Sequence, residues 1–129
     1  MGDYEPSEFD IHSTVLEWVE IQPKIKRFRK LFIHIPNEGK RSYAYARGLK
    51  KLGMRKGVYD LFVAYQNHGY PGAWIELKRK DGRLSVDQKI FKADMDEQGY
   101  FTAECYSVDD AIKIIEWYFD INDENRMVF

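Results

Sequence analysis

Residues 57–88 read GVYDLFVAYQNHGYPGAWIELKRKDGRLSVDQ, and their pattern decides the fold that we expect. Two runs rich in apolar and β-branched residues, 60–65 and 73–79, flank a short segment that contains Asn, Gly and Pro. This arrangement predicts an antiparallel β-hairpin. Ser85 is a suitable N-cap for a helix that would continue to Gln98. The segment therefore predicts two paired strands followed directly by a helix.

Helices and strands are expected to alternate on both sides of this hairpin. The further elements that we predict are a helix from Ser7 or Asp10 to Pro23, a buried strand over 31–35, a basic helix over 42–52, a strand over 101–106 and a helix capped by Ser107. The order α-β-α-β-β-α-β-α predicts an α/β fold in which helices flank a mixed central sheet. The length of 129 residues predicts a single domain. We expect its core at about 8–119 and a polar tail over 120–129.

Apolar residues at helical spacing indicate which helix faces should be buried. In the first helix, Phe9, Val15, Trp18 and Val19 follow a loosely helical pattern that continues to Gln22. In the helix after the hairpin, the apolar residues are Val86, Ile90, Phe91 and Met95.

Charge is distributed unevenly along the chain. The stretch 24–92 holds 18 Lys and Arg but only five Asp and Glu, whereas acids dominate both flanks. A basic middle is typical of a surface that binds a polyanion such as nucleic acid. Lysines that merely solvate exposed faces would give the same count.

Composition favours an ordinary protein of the cytoplasm. No apolar run approaches the roughly 20 residues that span a bilayer, and the acidic N-terminus does not resemble a signal peptide. Cys105, the single cysteine, cannot form an internal disulfide and is expected to be a buried apolar residue. We therefore predict no membrane association and a reducing compartment.

Asp60, Glu76 and Lys78 form the candidate chemical site. Side chains alternate along a strand, so Glu76 and Lys78 share one face, and the hairpin would bring Asp60 beside them. Two carboxylates and a nearby backbone carbonyl are hard oxygen ligands, which suit Mg²⁺ or Mn²⁺. A surface ion pair between Glu76 and Lys78 is the plainer interpretation of the tripeptide alone.

The order and spacing of several short motifs resemble the virus-type replication–repair nuclease (VRR-NUC) family, a branch of the PD-(D/E)xK nucleases with a restriction-endonuclease-like core. The matching fragments are Pro36-Asn37-Glu38-Gly39, Arg41-Ser42, Gly53, Lys56-Gly57-Val58-Tyr59-Asp60-Leu61, Ile75-Glu76-Leu77-Lys78, Gly82-Arg83-Leu84-Ser85, Gln88 and Gly99.

The resemblance implies a role for each matching residue. Asp60, Glu76 and the Leu77 carbonyl would bind metal, and Lys78 would be the catalytic lysine. Gln88 would support substrate or water. Glu8, ten residues before Trp18, fits the acid of the family's first helix. The chain departs from the family pattern at Tyr59, where proline is usual, and at His12, where glutamine is frequent. His12 would either play a supporting role at the site or simply be exposed, and we favour exposure.

Basic residues around these motifs are candidate contacts to DNA phosphates, which give affinity without sequence information. They are Arg41, Arg47, Lys50, Lys51, Arg55, Lys56, Arg79, Lys80, Arg83 and Lys89. His12, His34 and His68 are far apart in sequence and do not suggest a zinc site. His34 is expected to be a hydrogen-bonded residue within a strand.

The resemblance implies a Mg²⁺- or Mn²⁺-dependent endonuclease that hydrolyses phosphodiesters in DNA. Analogy with junction resolvases suggests branched DNA as substrate, a homodimer as the working form and a bacterial or phage-infected cytoplasm as the location. The alternatives are a nucleic-acid-binding module that has lost catalysis and a nuclease that acts on RNA.

Overall fold

The computed structural model describes residues 5–36, 43–122, 124 and 126. Within these residues the elements are α1 (Glu8–Ile21), a 3₁₀ helix (Lys26–Leu31), β1 (Phe32–His34), α2 (Tyr43–Lys51), β2 (Leu61–Val63), β3 (Ala73–Leu77), α3 (Val86–Glu97), β4 (Phe101–Cys105) and α4 (Val108–Tyr118). None of the described helices is long and apolar enough to cross a membrane.

The four described strands form one mixed sheet in the order β1-β2-β3-β4. β2 pairs with β3 in an antiparallel register that sets Leu61 opposite Ile75, as the hairpin pattern predicted. β4 runs parallel to β3 after the α3 crossover and sets Glu104 beside Glu76. The predicted α/β fold with a mixed sheet and flanking helices is confirmed.

One face of the sheet packs against α1 and α4. Ile75 and Leu77 of β3 lie in this core together with Val15 and Trp18 of α1 and Ile115 of α4, and each is almost fully buried. The first helix begins where the capping pattern predicted, because Ser7 and Asp10 form a reciprocal capping box. This core holds β2 and β3 in a fixed position.

The opposite face of the sheet packs against α3 through aromatic rings. Trp74 contacts Phe62 at a ring-centroid distance of 4.5 Å and Phe91 at 5.0 Å. Ser85 caps α3, and Gln88 completes the capping box by accepting the Ser85 N–H. This cap fixes the first turn of α3 beside the end of β3, which is where the candidate site lies.

Some predicted apolar faces are wrong. Val86 and Ile90 are 73% and 51% exposed, and Phe9 is 79% exposed. Val86 and Ile90 are four residues apart and share one helix face, which points away from the sheet because α3 packs through Phe91 instead. Met95, also predicted in this stripe, is partly buried.

The predicted buried strand over 31–35 is also wrong in two respects. Its first residue belongs to a 3₁₀ helix, and the strand is limited to Phe32–His34. Among the described strands, this strand lies at the edge of the sheet, and Ile33 and His34 are exposed even though Phe32 is buried. An edge strand has no further neighbour to cover its outer face.

Packing continues past Phe119, where we placed the end of the core. Ile121 is buried. The Asp120 carbonyl accepts a hydrogen bond from Lys24, and its carboxylate accepts one from Asn67. At least the start of the segment predicted as a tail is therefore held against the domain.

Candidate functional site

Asp60 and Glu76 meet where β2 begins and β3 ends. The Asp60 N–H donates to Glu76 Oε1 at 3.0 Å, and the Leu77 N–H donates to Asp60 Oδ2 at 3.2 Å. Each carboxylate thus accepts a backbone N–H from the strand that carries the other. The reciprocal bonds fix both carboxylates against the hairpin and bring them together as the strand pattern predicted.

Glu76 is deeply buried, with only 2% of its surface exposed. Burial, and then the neighbouring charge of Asp60, raises the pKa of Glu76 from 4.5 to about 8. Lys78 and the hydrogen bonds from Asp60 and Gln88 act in the opposite direction but do not cancel the effect. The Glu76 carboxyl group is therefore difficult to ionise unless additional positive charge is close to it.

Lys78 and Gln88 complete the group around Glu76. Lys78 Nζ lies 3.5 Å from Glu76 Oε2, and both side chains are largely buried. The Gln88 side-chain amide donates to the same oxygen at 2.9 Å. Because Gln88 also caps α3 through its Oε1 atom, its amide is oriented from both sides. The site residues predicted from sequence on β3 and α3 therefore converge.

The Leu77 carbonyl is directed toward the same place. The Lys78 N–H donates to Cys105 O on β4. Backbone groups of successive strand residues point to opposite sides, so the N–H and C=O of Leu77 point toward β2 and Asp60. The carbonyl predicted as a ligand is thus available beside Asp60.

The donor set fits a hard divalent cation. Asp60, Glu76 and the Leu77 carbonyl offer oxygen atoms only. The two carboxylate oxygens that accept a backbone N–H, Glu76 Oε1 and Asp60 Oδ2, each have a second lone pair. Two adjacent carboxylates, one of them desolvated, are stabilised by an added positive charge. Among the described residues, no three His, Cys, Asp or Glu side chains are grouped to hold a metal. Glu8 is exposed in the first turn of α1, and its role as a ligand stays a prediction.

Tyr59 and Glu104 are site residues that we did not predict. Tyr59, fully buried, donates its hydroxyl to Glu104 Oε2 at 2.8 Å and packs its ring on Phe91. Burial and this hydrogen bond raise the Tyr59 pKa well above its usual value. These contacts therefore anchor Tyr59, the residue directly before Asp60, at the position where the family usually has proline. Only the parallel register of β3 and β4, which is a tertiary property, could have identified Glu104.

Gly57 permits the approach of the α2–β2 segment to α3. Its φ is +80°, and a Cβ there would lie 2.4 Å from the carbonyl carbon of Asp87. Any side chain would therefore combine backbone strain with a clash against backbone. Gly57 lets the chain that leads to Asp60 pack directly on the first turn of α3.

The predicted DNA-contacting residues lie on both sides of this site. Arg47, Lys50, Lys51, Arg55, Lys56, Lys80, Arg83 and Lys89 are exposed, and Arg79 is partly buried. Arg41 lies outside the described residues. The first five belong to α2 and the segment that leads to Asp60, and the others follow β3 or lie on α3.

Several of these basic residues already have acidic partners. Arg79 and Lys80 both contact Glu5, at 2.9 and 3.0 Å. Arg55 contacts Asp94 at 2.6 Å. Exposed pairs of this kind are weak, so a phosphate can replace the carboxylate. The N-terminal segment nevertheless lies against part of the surface that we assigned to DNA.

The histidine and cysteine predictions have mixed outcomes. His12 is partly buried rather than exposed. His34 belongs to a strand, as predicted, but it is the last residue of β1 and its side chain is exposed. Their rings meet edge to face with centroids 4.8 Å apart. Cys105 is buried, and burial raises its pKa to about 12, as expected of an inert thiol.

A mixed four-stranded sheet between helices, with two acids and a lysine at adjoining strand ends, defines an α/β domain of the restriction-endonuclease-like class. The VRR-NUC domain model matches residues 8–109. The chain therefore belongs to the VRR-NUC family and has a nuclease-type fold.

A solved structure described as a VRR_NUC domain protein has the same fold. It superposes with a TM-score of 0.79 at 22% sequence identity, over 93% of each chain. No curated protein sequence matches the chain significantly.

Proposed function

We propose that this protein is a Mg²⁺- or Mn²⁺-dependent endonuclease that hydrolyses phosphodiester bonds in DNA. One observation supports the proposal above all others. A carboxylate with 2% exposure and a pKa raised to about 8, Glu76, is adjacent to a second carboxylate and to Lys78. A fold gains no stability from such a group, and costly groups of this kind concentrate at functional sites.

Asp60, Glu76 and the Leu77 carbonyl would hold the cation, with Glu8 as a further candidate. When bound, such a cation polarises a phosphodiester and lowers the pKa of a coordinated water. Both carboxylates must be ionised to bind it, so occupancy is expected to depend on the release of the Glu76 proton. Gln88 keeps the Glu76 carboxylate in one orientation through its amide.

Lys78 would orient the attacking water and stabilise the charge that develops on phosphorus-bound oxygens in the transition state. Water adds to phosphorus and loses a proton to the solvent, the bond to the leaving oxygen breaks, and that oxygen takes up a proton from the solvent. Because Lys78 is largely buried beside Glu76, its charge acts in a poorly screened environment.

Branched DNA is the substrate class that we favour. The exposed basic residues on α2 and beyond β3 would bind two stretches of backbone that flank the site. A homodimer with two sites related by a two-fold axis suits the paired cuts that resolve a four-way junction. This part of the proposal depends on analogy with resolvases.

A nicking assay on supercoiled plasmid and on a synthetic four-way junction tests the proposal. We expect cleavage with Mg²⁺ or Mn²⁺ and none with EDTA. Lys78→Ala and Glu76→Ala should bind the junction but not cut it, while Lys113→Ala, an exposed lysine on α4, should cut normally. Cleavage that persists in EDTA or in Lys78→Ala would refute this chemistry. Binding without cleavage by the wild type would support the alternative of a non-catalytic module, and preference for an RNA junction would reassign the substrate.

A further inference from the structure

His12 and His34 lie on the side of the sheet that packs against α1, near the start of β2, where Asp60 is located. His34 pairs with Leu61 across β1 and β2, and the next residue, Ile35, donates its N–H to the Asp60 carbonyl at 2.7 Å. His12 reaches this position from α1, where its ring contacts that of His34. His34 therefore lies across from the residue that follows Asp60, and His12 contacts His34 from α1.

The His12 ring is partly buried and has charged neighbours. Burial lowers the pKa of His12, and the charges of His34 and Arg29 lower it further, while Asp60 acts in the opposite direction. Arg29 is held by the Phe32 carbonyl and by Glu20. A neutral imidazole still donates one ring N–H, so the pair can bind an anion by hydrogen bonds without becoming charged.

A DNA strand presents phosphates at regular intervals, so a scissile phosphate at Asp60 and Lys78 has neighbours on both sides. Beyond Lys78, on one side, lie the basic residues Arg79 and Lys80, which form exposed ion pairs with Glu5. On the other side, an open cleft of about 350 Å³ runs between the end of β1 and the α2–β2 segment. Ile35, Gly57 and Val58 are among the residues that line it.

We infer that His12 and His34 bind the DNA phosphate next to the scissile one, on the β1 side of the site. The inference rests on the proposed function for the identity of the ligand. His34 is exposed and offers its ring directly, whereas His12 is partly buried and supports it from α1. The pair would fix which phosphate of the strand reaches Lys78, and so would contribute to cleavage position.

A phosphate-neutralisation cycle tests this assignment. The affinity of the wild type, His34→Ala and His12→Gln for a fluorescent duplex is measured by anisotropy in Ca²⁺, with a methylphosphonate placed at each phosphate position in turn. We expect His34→Ala to weaken binding of unmodified DNA by about tenfold, as for a lost hydrogen bond to a charged group. At one phosphate position, the methylphosphonate should weaken DNA binding by the wild type but not DNA binding by His34→Ala.

His68→Ala provides the matched control. His68 lies in the β2–β3 turn, at the end of the hairpin away from Asp60, and stacks on Trp117. The His68→Ala variant should bind DNA as the wild type does, and a methylphosphonate at any position should weaken both proteins equally. If His34 only supports the fold, its replacement would weaken DNA binding by the same factor whichever phosphate is modified.

The outcomes separate this inference from the proposed function. Coupling between His34 and one phosphate supports the inference, even if the wild type does not cleave in Mg²⁺, which would refute only the nuclease proposal. Metal-dependent cleavage by the wild type without coupling at any position would overturn the histidine site alone. Since His34 is exposed, its variant is expected to fold, and a thermal melt verifies this.

Discussion

Replacement of Glu76 by Gln should remove the pH dependence of stability that its buried carboxylate creates, and should abolish metal-dependent cleavage. In the folded protein the pKa of Glu76 is about 8, compared with 4.5 for an unperturbed glutamate. The folded state therefore keeps a proton that the unfolded chain releases. Unfolding releases this proton between those two pH values, so the free energy of unfolding falls as the pH rises through this window.

The size of the effect follows from the two pKa values. Between about pH 4.5 and about pH 7, ionisation of Glu76 in the unfolded chain alone should lower the free energy of unfolding by about 3 kcal/mol. A glutamine at this position carries no such proton. It retains an oxygen that can accept the Asp60 N–H, so the end of the hairpin should remain paired.

Urea unfolding of both proteins across this pH range measures the effect. We expect the free energy of Glu76→Gln relative to the wild type to rise by about 3 kcal/mol over the window. Glu97→Gln, an exposed glutamate on α3, is the control and should follow the wild type. Addition of Mg²⁺ at about pH 8 should stabilise only the wild type and the control. Parallel pH profiles for Glu76→Gln and the wild type would refute the claim that burial holds this proton.

Two further predictions follow from the site. Lys78→Met should reduce kcat by about 100-fold or more with DNA affinity little changed, because it removes charge that stabilises the transition state; single-turnover cleavage with Lys113→Met as control measures this, and a loss confined to KM would contradict it. Gly57→Ala should destabilise the fold by about 3 kcal/mol or more, because it adds a clash with Asp87 to the strain of positive φ. Gly69 has a φ of +81° but no atom near its missing Cβ, so Gly69→Ala adds only the backbone strain and should destabilise the fold by about 1 kcal/mol. Equal losses of Tm for the two glycine variants would show that the clash with Asp87 is relieved in Gly57→Ala.

Local pattern predicted the hairpin and the centre of the site. Strand alternation placed Glu76 and Lys78 on one face, and the short β2–β3 connection required Asp60 to lie near them. The cap at Ser85 predicted the start of α3 and therefore the position of Gln88. These features depend on residues close in sequence, which is why pattern alone was sufficient.

Features that depend on packing were not predictable in the same way. Val86 and Ile90 fit a buried stripe by spacing, but the orientation of α3 is set by contacts of Phe91 with the sheet. The meeting of His12 with His34 requires α1 to cross next to an edge strand. Both facts are properties of the assembled layers and not of any one segment.

The side chains of Asp60 and Glu76 accept hydrogen bonds from the Leu77 and Asp60 backbone N–H groups, and these two bonds close the end of the β2–β3 hairpin. A cation bound to these carboxylates withdraws electron density from their oxygen atoms, and so weakens the hydrogen bonds that these oxygens accept from the backbone amides of Asp60 and Leu77. Ion uptake and fraying of the hairpin end are thus thermodynamically linked. Amide exchange at those two positions should respond to divalent ions even when no nucleic acid is present.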